Sequence, residues 1–183
     1  EASQTIPQAF RLVATTLSWL IAVSTWLTPQ PQLSQGLLVN YGSQQTVEDQ
    51  AWFHGYNLTP YLRRCGISSI SPVHLGTIAW VKVGRARWFG PCLVVDSSAR
   101  HNAYKLIYIN HEVAEIPRWL ASWFGFKNGA IGLVYFGACP PMDDSMAQPY
   151  QPVLEWDHGD RQPLFWPYPK PELPVMCSKI MVQ

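Results

Sequence analysis

Short apolar runs between residues 76 and 137 constrain the fold of this chain more than any other feature. Each run is of strand length, rich in β-branched and aromatic residues, and bounded by Gly, Pro or polar turn residues. The predicted strands are GTIAWVKVG (76–84), PCLVVD (91–96), YKLIYI (104–109), EVAE (112–115) and AIGLVYFG (130–137), preceded by LLVNY (37–41). The pattern predicts a mainly β domain.

One short helix is predicted within this domain, over PRWLASWFGF (117–126). Pro117 suits a first helical turn. An apolar face follows from the spacing of Trp119, Leu120, Trp123 and Phe124. Residues 42–75 carry several turn signals and are predicted to be irregular.

An uncharged run, LVATTLSWLIAVSTWL, occupies residues 12–27. Extended to residues 10–28 and coiled as a helix, it would span about 28 Å, close to the ~30 Å hydrocarbon core of a bilayer. We therefore expect a single transmembrane helix there, with a buried soluble helix or a signal segment as the alternatives. The predicted organisation is an N-terminal arm (1–9), the transmembrane helix (10–28), a linker (29–36), a β-barrel domain (37–139) and a Pro/aromatic-rich tail (140–183).

The predicted membrane helix carries small residues at a spacing of four, Ala14, Ser18 and Ala22. Such a ladder lets another helix approach closely, so this face is a candidate interface. Arg11 is the single cation beside the span, and it favours a cytoplasmic N-terminus with the bulk of the chain outside.

The tail is too rich in proline for regular secondary structure. It is also aromatic, and it is predicted to wrap over the barrel or over a neighbouring subunit. Its candidate interface residues are Trp156, Phe165, Trp166 and Tyr168.

The four cysteines contain no CxxC pair, which argues against a zinc ribbon. In an oxidising compartment they can form two disulfides in three connectivities. Because Cys139 and Cys177 bracket a tail with little other means of ordering, we expect these two to pair, which leaves Cys65 to pair with Cys92.

Charge and motifs exclude several function classes. Thirteen basic and twelve acidic residues nearly cancel and form no basic stripe, so nucleic-acid binding is not expected. The chain has no Gly-rich phosphate loop and no HExxH motif, and no cofactor is predicted. Neither His101 and His111 with Asp96, nor the loop 155–160, has the spacing of a metal site, so no metal is predicted either.

The order of elements resembles the double-psi β-barrel of the RlpA-like lytic transglycosylases and the expansins. The resemblance covers about residues 74–137. Gly76-Thr77 matches the start of a GT-x-V-x-V strand, and Leu93 to Asp96 match a V-x-V-x-D strand. Val113 to Ile116 match the V-I-D-L-S element, and the last helix and strand follow in the family's order.

The resemblance implies that Asp96 is the catalytic acid, with Glu115 as second acid and His101 or His74 assisting. This chain departs from the family in three ways. The family's histidine position falls near Ile70, its Arg-Gly-Pro is replaced by Ser97-Ser98-Ala99, and Glu115 stands where the family has aspartate. The alternative role for Asp96 is structural, as a strand-end carboxylate that accepts backbone N–H groups from the next turn.

Two functions are compatible with these sequence features. The first is a non-enzymatic accessory or assembly subunit, anchored in the membrane and largely extracytoplasmic, that docks through its helix and tail onto other membrane subunits or copies of itself. The alternative is a cell-wall glycan-active or glycan-binding domain that uses Asp96. The expected partners are the lipid bilayer, other subunits and, for the alternative, cell-wall glycan.

Overall fold

A computed structural model describes residues 31–97, 110–143, 145, 147–149 and 177. Most of the regular secondary structure in these residues is β-strand. The strands are β1 (Gln32–Gly42), β2 (Gly66–Ser69), β3 (Ile78–Val83), β4 (Phe89–Ser97), β5 (Glu112–Pro117), β6 (Gly129–Phe136) and β7 (Gln148–Pro149). The helices are α1 (Gln44–Phe53) and α2 (Arg118–Trp123), with 3₁₀ turns at Leu62–Arg64 and Pro72–His74.

Six of the strands close into a mixed barrel. Around the ring the order is β5, β2, β4, β3, β6, β1, and β1 then pairs with β5. The pairs β1–β5 and β2–β4 are parallel, and the other four pairs in the ring are antiparallel. The short β7 adds to β1 in parallel. Closure leaves the ring without an open edge of unpaired backbone groups.

The barrel has an internal twofold repeat. Exchanging β1, β2 and β3 with β4, β5 and β6 reproduces every pairing in the ring with its direction. The register between β3 and β6 follows the same symmetry, because Val81 faces Val134 and the flanking pairs are Ala79–Phe136 and Val83–Gly132.

The repeat also fixes which residues correspond. The Leu37 amide donates to the His111 carbonyl at 2.7 Å, and the Leu93 amide donates to the Cys65 carbonyl at 3.0 Å. Leu37 and Leu93 therefore occupy equivalent positions, and GLLVN (36–40) corresponds to CLVVD (92–96). The two segments have the same apolar pattern, and Asn40 and Asp96 occupy equivalent positions near the ends of β1 and β4.

Apolar side chains pack in two clusters. The first contains Leu38, Ile67 and Val94, and the second contains Val47 of α1 with Leu93 and Val95 of β4. Helix α1 lies close to β2 because Gly66 has no side chain, and a Cβ there would lie 2.5 Å from Val47 Cγ1. Burial of both faces of β4 explains its uninterrupted apolar sequence.

Five predicted strands and the helix are confirmed. Runs 37–41, 76–84, 91–96, 112–115 and 130–137 lie in β1, β3, β4, β5 and β6, and α2 begins directly after Pro117. The helix is shorter than predicted, and Trp123 is 47% exposed rather than part of a buried face. The predicted strand 104–109 lies outside the described residues.

The prediction that residues 42–75 are irregular was wrong, since α1 and β2 lie there. Only Val47 and Ala51 are buried in α1, too few to give a helical apolar pattern. β1 begins at Gln32, within the stretch predicted as linker, because its polar half pairs with β6.

Both predicted disulfides are present, Cys65–Cys92 and Cys139–Cys177. The first joins the residue before β2 to β4 inside the apolar core. The predicted membrane helix, residues 10–28, lies outside the described residues, and among the residues described no helix is long and apolar enough to cross a bilayer.

Candidate functional site

Asp96 and Glu115 lie on the two strands that flank β2, one on each side of the same β2 residue. Ser68 pairs with Asp96 in β4 and with Glu115 in β5. Two strand spacings separate the acidic residues, about 10 Å between their Cα atoms. Both acidic residues are half-buried, and the small Ser68 side chain stands between them.

Irregular pairing at the strand ends sets the position of the site. Ile67 pairs with Val94 and Ser68 with Asp96, so Val95 is an extra residue in β4. In β1, Asn40 pairs with Ile116 and Gly42 with Pro117, so Tyr41 is likewise an extra residue. Bulges of this kind turn the following side chains away from strict alternation and often lie beside active sites.

These irregularities bring Tyr41 onto Asp96. The Tyr41 hydroxyl donates to Asp96 Oδ2 at 2.6 Å, and the Ser97 amide donates to Asp96 Oδ1 at 2.7 Å. Burial raises the pKa of Tyr41 well above its ordinary value of 10, and the hydrogen bond to Asp96 and the charges of Asp96 and Glu115 raise it further. The phenol therefore stays protonated and serves as a hydrogen-bond donor, and the charges of both carboxylates contribute to its raised pKa.

The equivalent strand end in the other half has no such partner. The Gly42 amide donates to Asn40 Oδ1 at 2.9 Å, which closes the turn after β1. Asp96 makes the corresponding backbone contact through Ser97 and, in addition, holds Tyr41. A neutral amide makes the same backbone contact in the other half, so that contact does not require the negative charge of Asp96.

His74 does not form part of this cluster. Its ring is 2% exposed and stacks on Phe136 with centroids 3.8 Å apart. Neither ring nitrogen hydrogen-bonds to a described residue. Burial lowers the pKa of His74 to about 4, so the ring is neutral at pH 7.

Other predicted site residues lie outside the described residues. These are His101 and the interface candidates Ala14, Ser18, Ala22, Trp156, Phe165, Trp166 and Tyr168. Within the described part of the chain, no group of three or more His, Cys, Asp or Glu residues is placed to hold a metal ion.

Tyr41 is the site residue that sequence reasoning missed. The sequence pattern places it only at the end of the predicted strand 37–41. The signal that could have found it is the repeat itself, because GLLVN and CLVVD place Tyr41 directly after the counterpart of Asp96.

Comparison with known proteins gives no relative for this chain. No protein-family model, no curated protein and no solved structure matches it significantly.

Proposed function

We propose that the barrel is of the double-psi type and that the cluster of Tyr41, Asp96 and Glu115 is a glycan-active site of the RlpA/expansin kind. The twofold repeat of the strand pairing supports the fold assignment, since a double-psi barrel consists of two interlocked equivalent halves. The acid-bearing strand is β4, as the family resemblance implies.

The hydrogen bond from Tyr41 to Asp96 carries the proposal for function. A strand-end carboxylate with a purely structural task would need only the backbone contact that Asn40 also makes. Asp96 instead has the half-buried Tyr41 phenol as a second partner and Glu115 across Ser68. A half-buried carboxylate held in one geometry beside a second acid is what proton transfer to a glycosidic oxygen requires.

In the proposed reaction, one carboxyl group gives its proton to the glycosidic oxygen as the bond to the anomeric carbon breaks. The carboxylate that this leaves then takes the proton of a hydroxyl group, of water or of the sugar itself, as the hydroxyl oxygen bonds to the anomeric carbon, which restores the site. Asp96 and Glu115 are the two groups available among the described residues for these roles. Tyr41 orients Asp96 and remains protonated throughout.

Incubation of the full chain with purified peptidoglycan tests the proposal. We expect soluble glycan products from the wild type and at least ~100-fold slower release from Asp96→Asn. Asn40→Asp is the matched control, since it adds a carboxylate at the equivalent strand end, and it should release product like the wild type. No release by the wild type, or equal release by Asp96→Asn, would overturn the proposal.

We also propose a second candidate, the accessory subunit. It is favoured by two adjacent aromatic side chains at the end of α1, Trp52 and Phe53, which are 82% and 64% exposed. Large exposed aromatic residues of this kind often mark a protein interface.

Purification of the full chain from its native membrane in mild detergent tests this second candidate. A stoichiometric complex is expected for the wild type, and its loss is expected for Trp52→Ser with Phe53→Ser. Recovery of the wild type as a monomer alone would contradict the subunit function.

A further inference from the structure

Two consecutive arginines adopt a backbone conformation that normally favours glycine. The φ angles of Arg63 and Arg64 are 51° and 53°. Non-glycine residues rarely occupy this left-handed region, and two in succession are rarer still. Glycine at either position would be free of the steric cost.

The surrounding chain holds this turn in place. The Arg64 amide donates to the Tyr61 carbonyl at 3.0 Å, and the Cys65 amide donates to the Leu62 carbonyl at 2.9 Å. Tyr61 and Cys65 are buried, and Cys65 is bonded to Cys92. A strained segment that its neighbours fix in this way is typical of functional positions.

Contacts within the described residues do not account for the two side chains. Both are exposed. Arg64 lies 3.5 Å from Glu48, an exposed pair of the kind that contributes little to stability. No described residue pairs with the Arg63 guanidinium.

The arginine turn is linked to the strand end that bears Tyr41. Gln44, at the start of α1, donates through Nε2 to the Arg64 carbonyl at 3.2 Å. The same amide accepts a hydrogen bond from Trp119 Nε1 at 2.8 Å. Gln44 follows Tyr41 closely in the chain, so the arginines lie beside the element that leads out of the candidate site.

The side of α1 that contacts Arg64 also carries an exposed aromatic residue. Glu48 lies one turn after Gln44, and the exposed Trp52 lies one turn after Glu48. Arginine donors in a fixed fork match carboxylate and phosphate groups, and an aromatic face is suited to the apolar side of a sugar ring.

We propose that Arg63 and Arg64 form a subsite for the anionic groups of an acidic glycan. This inference rests on the proposed glycan function and specifies its ligand class. On binding, the guanidinium of Arg64 leaves its weak contact with Glu48 and pairs with a carboxylate or phosphate of the ligand. The guanidinium of Arg63 supplies a second set of hydrogen-bond donors.

The test is binding of the full chain to polygalacturonate, an anionic glycan, and to dextran, a neutral one, by calorimetry. Arg63→Gly with Arg64→Gly should bind polygalacturonate roughly tenfold more weakly. Its midpoint of thermal unfolding should rise, since glycine relieves the strained turn. Arg85→Ala with Arg87→Ala is the matched control, because both residues are exposed and the loss of charge is equal.

Several outcomes overturn the subsite. They are the absence of wild-type binding to polygalacturonate, an equal loss in the Arg85/Arg87 control, and unchanged binding in the glycine variant. Failure of the glycan-active function is separate. If the wild type binds polygalacturonate through the arginines but releases nothing from peptidoglycan, the proposed reaction fails and the subsite stands. If release depends on Asp96 but polygalacturonate binding does not depend on the arginines, the subsite alone fails.

Discussion

The two halves of the barrel have equivalent strand pairings but differ in the residues near the ends of β1 and β4. Near the end of β1 stands Asn40, whose amide oxygen accepts only the Gly42 amide among the described residues. Near the end of β4 stands Asp96, which accepts the Ser97 amide and also the Tyr41 hydroxyl from the other half. The comparison separates a requirement of the fold, an acceptor near the strand end, from a feature added to one half, a carboxylate that accepts a hydrogen bond from a half-buried phenol.

The two parallel strand pairs that join the halves also differ in how they are held together. Cys65 and Cys92 are bonded across β2 and β4. The position equivalent to Cys92 is Gly36, where a Cβ would lie 2.5 Å from the His111 carbonyl oxygen. The β1–β5 pair therefore relies on close backbone contact where the β2–β4 pair has a covalent bond.

The largest expected effect comes from removing that bond. Cys65→Ala with Cys92→Ala should lower the free energy of unfolding by about 3–4 kcal/mol, because the bond closes a loop with a sequence separation of 27 and restricts the unfolded chain. Urea denaturation measures the change, with Cys139→Ala and Cys177→Ala as the comparison for the tail. An unchanged unfolding midpoint would mean that the two halves are fastened equally well without the bond.

The second expected effect is a dependence of stability on acid. The folded-state pKa of His74, about 4, is below the ordinary 6.5, so between these values the unfolded chain binds more protons. The stability from neutral His74 is complete above pH 6.5 and decreases as the pH falls to 4, by up to about 3 kcal/mol. Denaturant titrations across this range measure the decrease.

His74→Phe tests whether His74 causes this loss of stability, since the equivalent connection in the other half carries no histidine at its buried position. The connection that follows β5 carries a buried Leu120 in α2, whereas the connection that follows β2 carries the buried His74. Phenylalanine keeps the stacking on Phe136 and cannot be protonated, so the variant should lose most of the decrease between pH 6.5 and 4. An equally steep decrease in His74→Phe would assign it to other groups.

The smallest expected effect is the change in stability on exchanging the strand-end residues. Asp96→Asn and Asn40→Asp should each alter the free energy of unfolding by less than about 1 kcal/mol, because amide and carboxylate oxygens both accept the backbone N–H. Urea denaturation at pH 7 measures both variants. A loss of several kcal/mol in Asp96→Asn alone would make its charge a structural requirement and would remove the main argument for a site.

Local pattern predicted most of the strands for a physical reason. β3, β4, β5 and β6 are apolar over strand length and bounded by turn residues, and such runs form strands wherever they are buried. Helix α1 was not predicted because its stability comes from two buried residues over Gly66 and from the Ser43 cap, neither of which forms a periodic pattern. The disulfide pairing was predicted because Cys139 and Cys177 bracket a proline-rich tail with little other means of ordering, which leaves Cys65 to pair with Cys92.

By itself, the sequence predicted five of the strands, that the cysteines pair, and that Asp96 follows an apolar run. Only the tertiary structure decided what Asp96 contacts. Tyr41 lies 55 residues away in the sequence and reaches Asp96 because the ring closes between β1 and β5 and because each parallel pair carries an extra residue at its end. Closure and bulges are properties of strand pairing, and no local pattern of residues encodes them.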